Sequence, residues 1–287
     1  MSDPLSRFVR QHSRLFVLSG AGVSTASGIP DYRDEQGQWK RNPPVHVRDF
    51  VGSAAARRRY WARSMIGWPA IAGAQPNQAH GALAQLQAAS YVCRLVTQNV
   101  DGLHQRAGSE HVIELHGSIA QVVCTVCAAG MPRSEVQQWL EAANPAYARR
   151  GAAGAPDGDA DIDPADWDGF RAPDCPRCGG ILKPDVVFFG DTVPPDRVAA
   201  AMEALEQADA MLVVGSSLML RSGYRFCEGA RHLGKPIAAI NIGRTRADHL
   251  FQVKIERPCA EVLADLARGL IVQCKSHWLG LRAPRFG

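Results

Sequence analysis

The sequence predicts an α/β fold: a parallel sheet covered by helices on both faces, with a smaller metal-held lobe set into it. Three observations carry that expectation. Short apolar runs at 15–18, 92–96, 210–214 and 236–240 alternate with helical patterns, as buried parallel strands alternate with their crossovers. These runs end in stretches dominated by small or polar residues: Ser19 and Gly20, then Thr97, Gln98 and Asn99, then Gly215, Ser216 and Ser217, then Asn241 and Gly243 on either side of Ile242. The carboxyl ends of such strands are where open parallel sheets bind ligands. Finally, Cys124 and Cys127, then Cys175 and Cys178, form two Cys-x-x-Cys pairs around a segment of different composition.

The elements follow in order. Residues 15–18 (LFVL) are bounded by Ser19 and Gly20 and predict a buried strand. Gly20, Ala21, Gly22, Val23 and Ser24 come next. Such a turn can present backbone N–H groups to a phosphate at a helix start. Thr25 stands where G-x-G-x-x-G has its third glycine, so a plain strand-to-helix turn accounts for it equally well. Residues 31–44 read as a loop, 49–68 as a helix, and 77–89 as a helix with Ala79, Leu83 and Leu86 on one face.

The strand at 92–96 leads to the most unusual stretch, TQNVDGLHQRAGSEHVIELH at 97–116. Thr97, Gln98, Asn99, Asp101 and His104 follow one apolar run, and His116 ends another at 112–115. Polar residues clustered at two strand ends mark the expected centre of the site. Asp101 also suits an N-cap for a turn toward His104. A short helix is predicted at 134–143 and a flexible insert rich in Gly, Ala, Pro and Asp at 149–168. A strand at 185–189, a helix at 195–207, a strand at 210–214, a helix at 223–233, a strand at 236–240 and a helix at 259–270 complete the pattern, before a basic, loosely ordered tail at 275–287.

The 287 residues suffice for one large domain or for a domain with a lobe. A net charge of +4 is too mild for a dedicated nucleic-acid binder, and the Arg57, Arg58 and Arg59 cluster reads as a solvated helix face. No run approaches the roughly 18 apolar residues of a membrane span, and no apolar leader with a small-residue cleavage site opens the chain. The expectation is a cytoplasmic protein. Without a secretory signal, the paired cysteines fit a metal site better than a disulfide framework. Four thiolates complete one closed, structural zinc shell. A redox dithiol would need no second pair.

Taken together, these motifs resemble those of the sirtuins, the NAD-dependent protein lysine deacylases. The likeness rests on G-A-G-V-S at 20–24, G-I-P-D-Y-R at 28–33, T-Q-N-V-D-G-L-H at 97–104, L-H-G at 115–117, the four cysteines, K-P-D-V-V-F-F-G at 183–190, G-S-S-L at 215–218 and N-I-G at 241–243. It spans roughly residues 13–270. The sequence is most similar to the class II, sirtuin-4-like branch, through R-Y-W-A-R at 59–63, G-W-P at 67–69, P-D-G-D at 156–159 and F-F-G-D-T at 188–192.

The resemblance implies a discontinuous Rossmann-like domain (1–40, 81–120 and 183–274) and a small domain of helical module and zinc ribbon (41–80 and 121–182). It implies NAD as co-substrate and one structural Zn2+, with acyl-lysine proteins or peptides as substrates and nicotinamide and O-acyl-ADP-ribose as products. Neither a membrane nor a specific nucleic acid is an expected partner. His116 is implied as general base on a ribose hydroxyl, with Asn99 and Asp101 positioning the nicotinamide end. Gly20, Ala21 and Gly22 would bring N–H groups to the pyrophosphate and Arg33 a cation. Ser24 would help orient the nicotinamide end, Tyr32 would stand as an aromatic lid over the reactive ribose, Gln98 would lie against that ribose, and Asp31 would join the cofactor-binding residues. Gly215, Ser216, Ser217, Asn241, Ile242 and Gly243 would contact the adenosine ribose and phosphates. Cys259 and Ala260 would lie near the adenine, although a buried thiol there serves packing equally well. Val187, Phe188, Phe189 and Gly190 would pair with the substrate backbone as an added strand. Tyr60 and Arg63 have the Tyr-x-x-Arg spacing of relatives that remove acidic acyl groups, but alignment on Gly67 puts Ala62 at the arginine position. Protein mono-ADP-ribosylation, and less readily a non-catalytic zinc-ribbon scaffold, stand as alternatives.

Overall fold

The computed structural model describes residues 3–40, 44–147 and 169–280, with side chains through 271. In chain order the strands are β1 (Leu15–Ser19), β2 (Val92–Thr97), β3 (Ile113–Glu114), β4 (Gly117–Cys124), β5 (Gly130–Pro132), β6 (Leu182–Val186), β7 (Ala210–Val214), β8 (Ile237–Ile240) and β9 (Val253–Ile255). The helices are α1 (Pro4–Gln11), α2 (Val47–Gly52), α3 (Ala54–Gly73), α4 (Gln78–Ala88), α5 (Leu103–Arg106), α6 (Arg133–Ala143), α7 (Pro195–Gln207), α8 (Arg221–His232) and α9 (Cys259–Gly280).

One sheet has the order β3-β2-β1-β7-β8-β9, and every pairing in it is parallel. Strand order therefore reverses between β1 and β7, the switch point where doubly wound folds open a crevice. Side-chain alternation along β1 builds a core on each side. Leu15 and Val17 join α1, α4 and α9 in one cluster, and Phe16 and Leu18 join α7 and α8 in the other. Helix α4 starts where Asn77 accepts the Ala79 N–H at 2.8 Å and His80 Nδ1 accepts the Asn77 N–H at 3.2 Å. This is a capping box with histidine in the usual Glu/Gln role.

The second sheet, β5-β4-β6, is antiparallel and belongs to the lobe. Helices α3 and α6 pack beside it around Trp61, Met65, Val122, Val136, Leu140 and Leu182. Arg133 joins them and has no exposed surface. Its guanidinium donates to Gln137 Oε1 at 2.8 Å and to Ser64 Oγ at 3.1 Å, and it lies over the Trp61 and Trp68 rings. Burial lowers its pKa to about 10. A buried cation held this way ties α6 to α3, because losing either partner leaves polar groups unpaired.

Several elements differ from the sequence expectation. The helix expected at 49–68 is two, α2 and α3, because Ser53 breaks it and caps the second by accepting the Ala56 N–H at 3.2 Å. The strand expected at 185–189 is β6, placed three residues earlier in the lobe's sheet. Its Leu182, Pro184 and Val186 face inward in alternation, which is the two-residue period of a half-buried strand. The glycine turn runs into two 3₁₀ turns, Ala21–Val23 and Thr25–Ser27, rather than into an α-helix. The last helix continues to Gly280, past Leu270 and into the expected tail, since neither Gly nor Pro interrupts 271–279. Helix α1 was not anticipated. Asp3 caps it, Pro4 begins it, and Leu5, Phe8 and Val9 bury one face. The insert expected at 149–168 lies outside the described residues.

Leu86 is fully buried between α4, α9 and the sheet. Leu86→Ala should lower the unfolding free energy by about 2–5 kcal/mol, the usual range for such truncations. Urea denaturation measures it, and a loss well under 1 kcal/mol would contradict this packing.

Candidate active site

A cavity of about 460 Å³ opens at the switch point, between the sheet's carboxyl edge and the lobe. The turn after β1 and the turn after β7 meet there. The Gly20 N–H donates to the Val214 carbonyl at 3.0 Å, and the Gly22 N–H to the Gly215 carbonyl at 2.8 Å. A Cβ on Gly22 would stand 2.9 Å from the Gly215 Cα, and one on Gly215, whose φ is +60°, would stand 2.5 Å from the Val23 nitrogen. Neither position admits a side chain. The glycines therefore allow close approach, and two of the three N–H groups expected to face a phosphate are bonded within the protein. Gly20, Ala21 and Gly22 still line the cavity.

The cavity floor is a polar network. Ser24 Oγ donates to Asp101 Oδ2 at 2.7 Å, and Asn99 Nδ2 donates to Ser24 Oγ at 3.0 Å. Asp101 Oδ1 accepts the Leu103 N–H at 2.9 Å, an Asx-type turn just ahead of α5, whose cap position is Gly102 rather than the Asp101 expected from sequence. Asn99 thus presents an amide fixed by Ser24. Behind it, His104 Nε2 lies 2.8 Å from Ser19 Oγ, which donates to Thr97 Oγ1 at 2.9 Å. His104 is buried, and desolvation lowers its pKa to about 3. It supports the floor and does not line the cavity. His80 packs its ring 4.8 Å from the His104 ring and reaches toward Ser24.

His116 sits where β3 of one sheet passes into β4 of the other. Its Nδ1 lies 2.9 Å from the Gln98 carbonyl oxygen. A carbonyl only accepts, so Nδ1 carries the hydrogen and Nε2 the lone pair. Nε2 lies 2.9 Å from Ser222 Oγ, which donates to it. Burial lowers the His116 pKa to about 4. The Gln98 hydrogen bond opposes the shift, and the Arg197 and Arg225 charges reinforce it. His116 is therefore a neutral imidazole near pH 7, a protonation state suited to a general base.

The remaining expected residues divide into three groups. Asp31, Tyr32, Arg33, Gln98, Gly215, Ser216, Ser217, Asn241 and Ile242 line the cavity. Arg33 donates to the Gly37 carbonyl at 2.8 Å and stacks on Trp39. Ser216 Oγ donates to Gln98 Oε1 at 2.6 Å. Asn241 Nδ2 donates to the Ile242 carbonyl at 2.9 Å and shapes its own turn. Gly243, Cys259 and Ala260 are not among the lining residues. Cys259 instead packs under β8, with Sγ 3.6 Å from the Ile240 carbonyl and its thiol pushed up to about 12 by burial. Val187, Phe188, Phe189 and Gly190 form the opposite wall. There the Val187 N–H donates to the His116 carbonyl at 2.8 Å, and the Phe189 carbonyl accepts the Val47 N–H at 2.9 Å. Trp39, Ser222, Arg225 and the supporting His80 were not singled out from sequence. Only His80 carried a local signal, its spacing from the Asn77 cap.

Cys124, Cys127, Cys175 and Cys178 converge away from this cavity, their sulfurs all within 4.8 Å of one another. Two of the separations are 3.5 Å and 3.8 Å. Tetrahedral zinc with bonds of about 2.3 Å needs sulfur separations of about 3.8 Å, so the donor set fits that ion. The Cys127 backbone N–H leads the causes that lower the Cys124 thiol to about 6. At Cys178 the Gly180 N–H is outweighed by the neighbouring Cys127 and Cys124 sulfurs, which push that thiol up to about 12. Four crowded thiols share their protons unevenly, and a cation among them would favour the thiolate throughout.

Residues 20–222 match the model of the Sir2 family. A Bordetella bronchiseptica protein named NAD-dependent protein deacetylase is 59% identical, over 93% of this chain and 98% of its own length. A Xanthomonas campestris protein of the same name is 57% identical, over 91% and 89%. Among solved structures, a Sir2–p53 peptide–NAD+ complex superposes with a TM-score of 0.74 at 26% identity, over 96% of this chain and 99% of that one. A Sir2 homolog–NAD complex superposes with a TM-score of 0.72 at 28% identity, over 95% of each.

Two predictions follow from this geometry. Elemental analysis should find one zinc per chain, and Cys175→Ser should lose it and lower the melting temperature. A metal-free wild-type protein with unchanged stability would contradict the zinc assignment. Separately, His104 and His116 bind protons only below about pH 3 and about pH 4 when folded, but near pH 6.5 when unfolded. Between those values the unfolded chain holds more protons, so stability rises with pH across that window. The melting temperature should fall as pH drops from about 6.5 toward about 4.5, and a flat profile there would contradict the neutral burial of both rings.

Proposed function

Because the chain belongs to the Sir2 family and is an NAD-dependent protein deacetylase, we propose that the switch-point cleft binds NAD and acetyl-lysine, with His116 as general base. The observation that carries this role is the anchoring of His116. The Gln98 carbonyl holds Nδ1, so the lone pair lies at Nε2 of a ring that lines the cleft. NAD supplies a glycosidic bond whose rupture frees nicotinamide and exposes a ribose carbon to the acyl oxygen. The protein's residues perform the rest. Asn99, held by Ser24, offers an amide that pairs with a carboxamide edge through donor and acceptor together. Asp101 is fixed by Ser24 and the α5 backbone. Gln98, braced by Ser216, lies beside the ribose. His116 Nε2 takes the proton of a ribose hydroxyl, which raises that oxygen's nucleophilicity toward the acyl carbon.

In the same reading, Gly20, Ala21, Gly22, Arg33, Ser216 and Asn241 receive the phosphates and adenosine. The 187–190 wall meets the substrate backbone through groups not engaged by His116 and Val47. The motifs at 59–63, 67–69 and 188–192 support placement in the class II, sirtuin-4-like branch. Acetyl is the preferred acyl group. Tyr60 lines the cleft while Arg63 does not, so the Tyr-x-x-Arg spacing sets no cation at the acyl end. The site is cytoplasmic in this proposal, and no described helix is long and apolar enough to cross a membrane.

His116→Ala tests the central role. Turnover of an acetyl-lysine peptide should fall by ~10²-fold or more, as loss of a general base does, while NAD still raises the melting temperature. Near-normal turnover would remove His116 from the role of base.

A further inference from the structure

The wall at 187–190 has a support that the proposed chemistry does not use. β6 ends at Val186, and from there the chain leaves the lobe's sheet and lines the cleft. Lys183 alternates along β6 with the inward-facing Leu182, Pro184 and Val186, and its side chain is 13% exposed. Its Nζ donates to the Pro184 carbonyl at 3.2 Å and to the Val186 carbonyl at 2.5 Å. The same Nζ lies 3.9 Å from Asp191 Oδ2 and 4.7 Å from the centre of the Phe188 ring. One ammonium therefore holds both ends of the segment 186–191 and the side chain in its middle. The Phe188 ring also meets Phe50 and Tyr60, at 5.1 Å and 5.2 Å between ring centres.

We propose that Lys183 is a positioning residue for the substrate: its ammonium sets the arch of 186–191, and that arch fixes the line along which 187–190 meets an acetyl-lysine peptide. The inference rests on the reading of 187–190 as the wall that pairs with substrate backbone. Added-strand pairing depends on main-chain hydrogen bonds, and these weaken steeply once angle or distance leaves a narrow range. The wall's own backbone is tied at Val187 to His116 and at Phe189 to Val47. The carbonyl that precedes it and the carboxylate that follows it answer to Lys183. An exposed ion pair alone would contribute little. Here the cation is mostly buried, and charge-assisted bonds to backbone carbonyls are among the stronger kinds. Burial lowers the Lys183 pKa, and the Asp191 and Asp185 charges oppose that shift. Lysine suits the task because a compact ammonium on a flexible stem presents three donors in different directions.

The test uses the full-length enzyme with NAD and an acetyl-lysine peptide. Lys183→Met keeps the apolar stem and removes the charge and the donors. Its KM for the peptide should rise about tenfold, the scale set by losing a charge-assisted hydrogen bond, while kcat and the KM for NAD stay as in wild type. Lys183→Arg, which keeps a charged donor, should recover most of the peptide affinity. Asp191→Asn alters an exposed partner and should raise the same KM by less, with no further rise in the Lys183→Met background. A wild-type peptide KM in Lys183→Met, or in Asp191→Asn should Lys183→Met fail to fold, would overturn the inference, as would a fall in kcat equal to the rise in KM. A peptide N-methylated at the amides flanking the acetyl-lysine separates the two readings. If it binds poorly while Lys183→Met is unimpaired, only the role of Lys183 falls. If it binds as the parent peptide does, the wall's pairing falls and the positioning role falls with it.

Discussion

The approach of the β1 turn to the β7 turn governs this structure. The Gly22 N–H reaches the Gly215 carbonyl at 2.8 Å, and no side chain fits between the two backbones. This contact closes the sheet at the point where strand order reverses, and the cleft's two halves take their spacing from it. Ser24 follows Gly22 by two residues and reaches Asp101 and Asn99 after β2. Ser216 follows Gly215 and reaches Gln98. One backbone contact thus fixes the supports for the polar residues on both sides of the floor.

The lobe enters through His116. Gly117, with φ of +84°, turns the chain from the parallel sheet into β4, and β4 leads to the cysteines. The Val187 N–H returns from β6 to the His116 carbonyl. The backbone around His116 is therefore held by both sheets, and the side chain by Gln98 and Ser222. A zinc ion held by Cys124, Cys127, Cys175 and Cys178 would lie away from this chemistry and would tie the far end of β4 to the chain leading into β6.

Much of this was legible in the sequence because the signals are local. The apolar runs of β1, β2, β7 and β8 are fully or mostly buried and end in polar residues, so both strand and site appear within a few positions. The cysteine spacing declared the metal site, and the family motifs declared Asn99, Asp101 and His116. The lobe's sheet was not legible. In β4, Ile119 and Val122 face inward, but a register irregularity breaks the alternation between Gly117 and Val122. In β6, the apolar run at 186–189 drew the expected strand past its true end. Ser222 gave no sign, since a serine between Arg221 and Gly223 reads as an ordinary first-turn residue and its partner lies 106 positions away. Cys259 reads from sequence as an adenine neighbour and as a packing residue alike, and its thiol lies under β8, 3.6 Å from the Ile240 carbonyl. The glycine turn pointed to phosphate, and the fold bonds two of its three N–H groups, those of Gly20 and Gly22, to the end of β7 and the turn after it.

The central claim is that this cleft couples NAD cleavage to removal of an acyl group from lysine. Mass spectrometry of a single turnover with NAD and an acetyl-lysine protein addresses it directly. The account predicts that each lysine freed is matched by one nicotinamide and one O-acetyl-ADP-ribose, with no mass added to the protein. Nicotinamide release accompanied by ADP-ribose on the protein, with the acetyl group still in place, would contradict it.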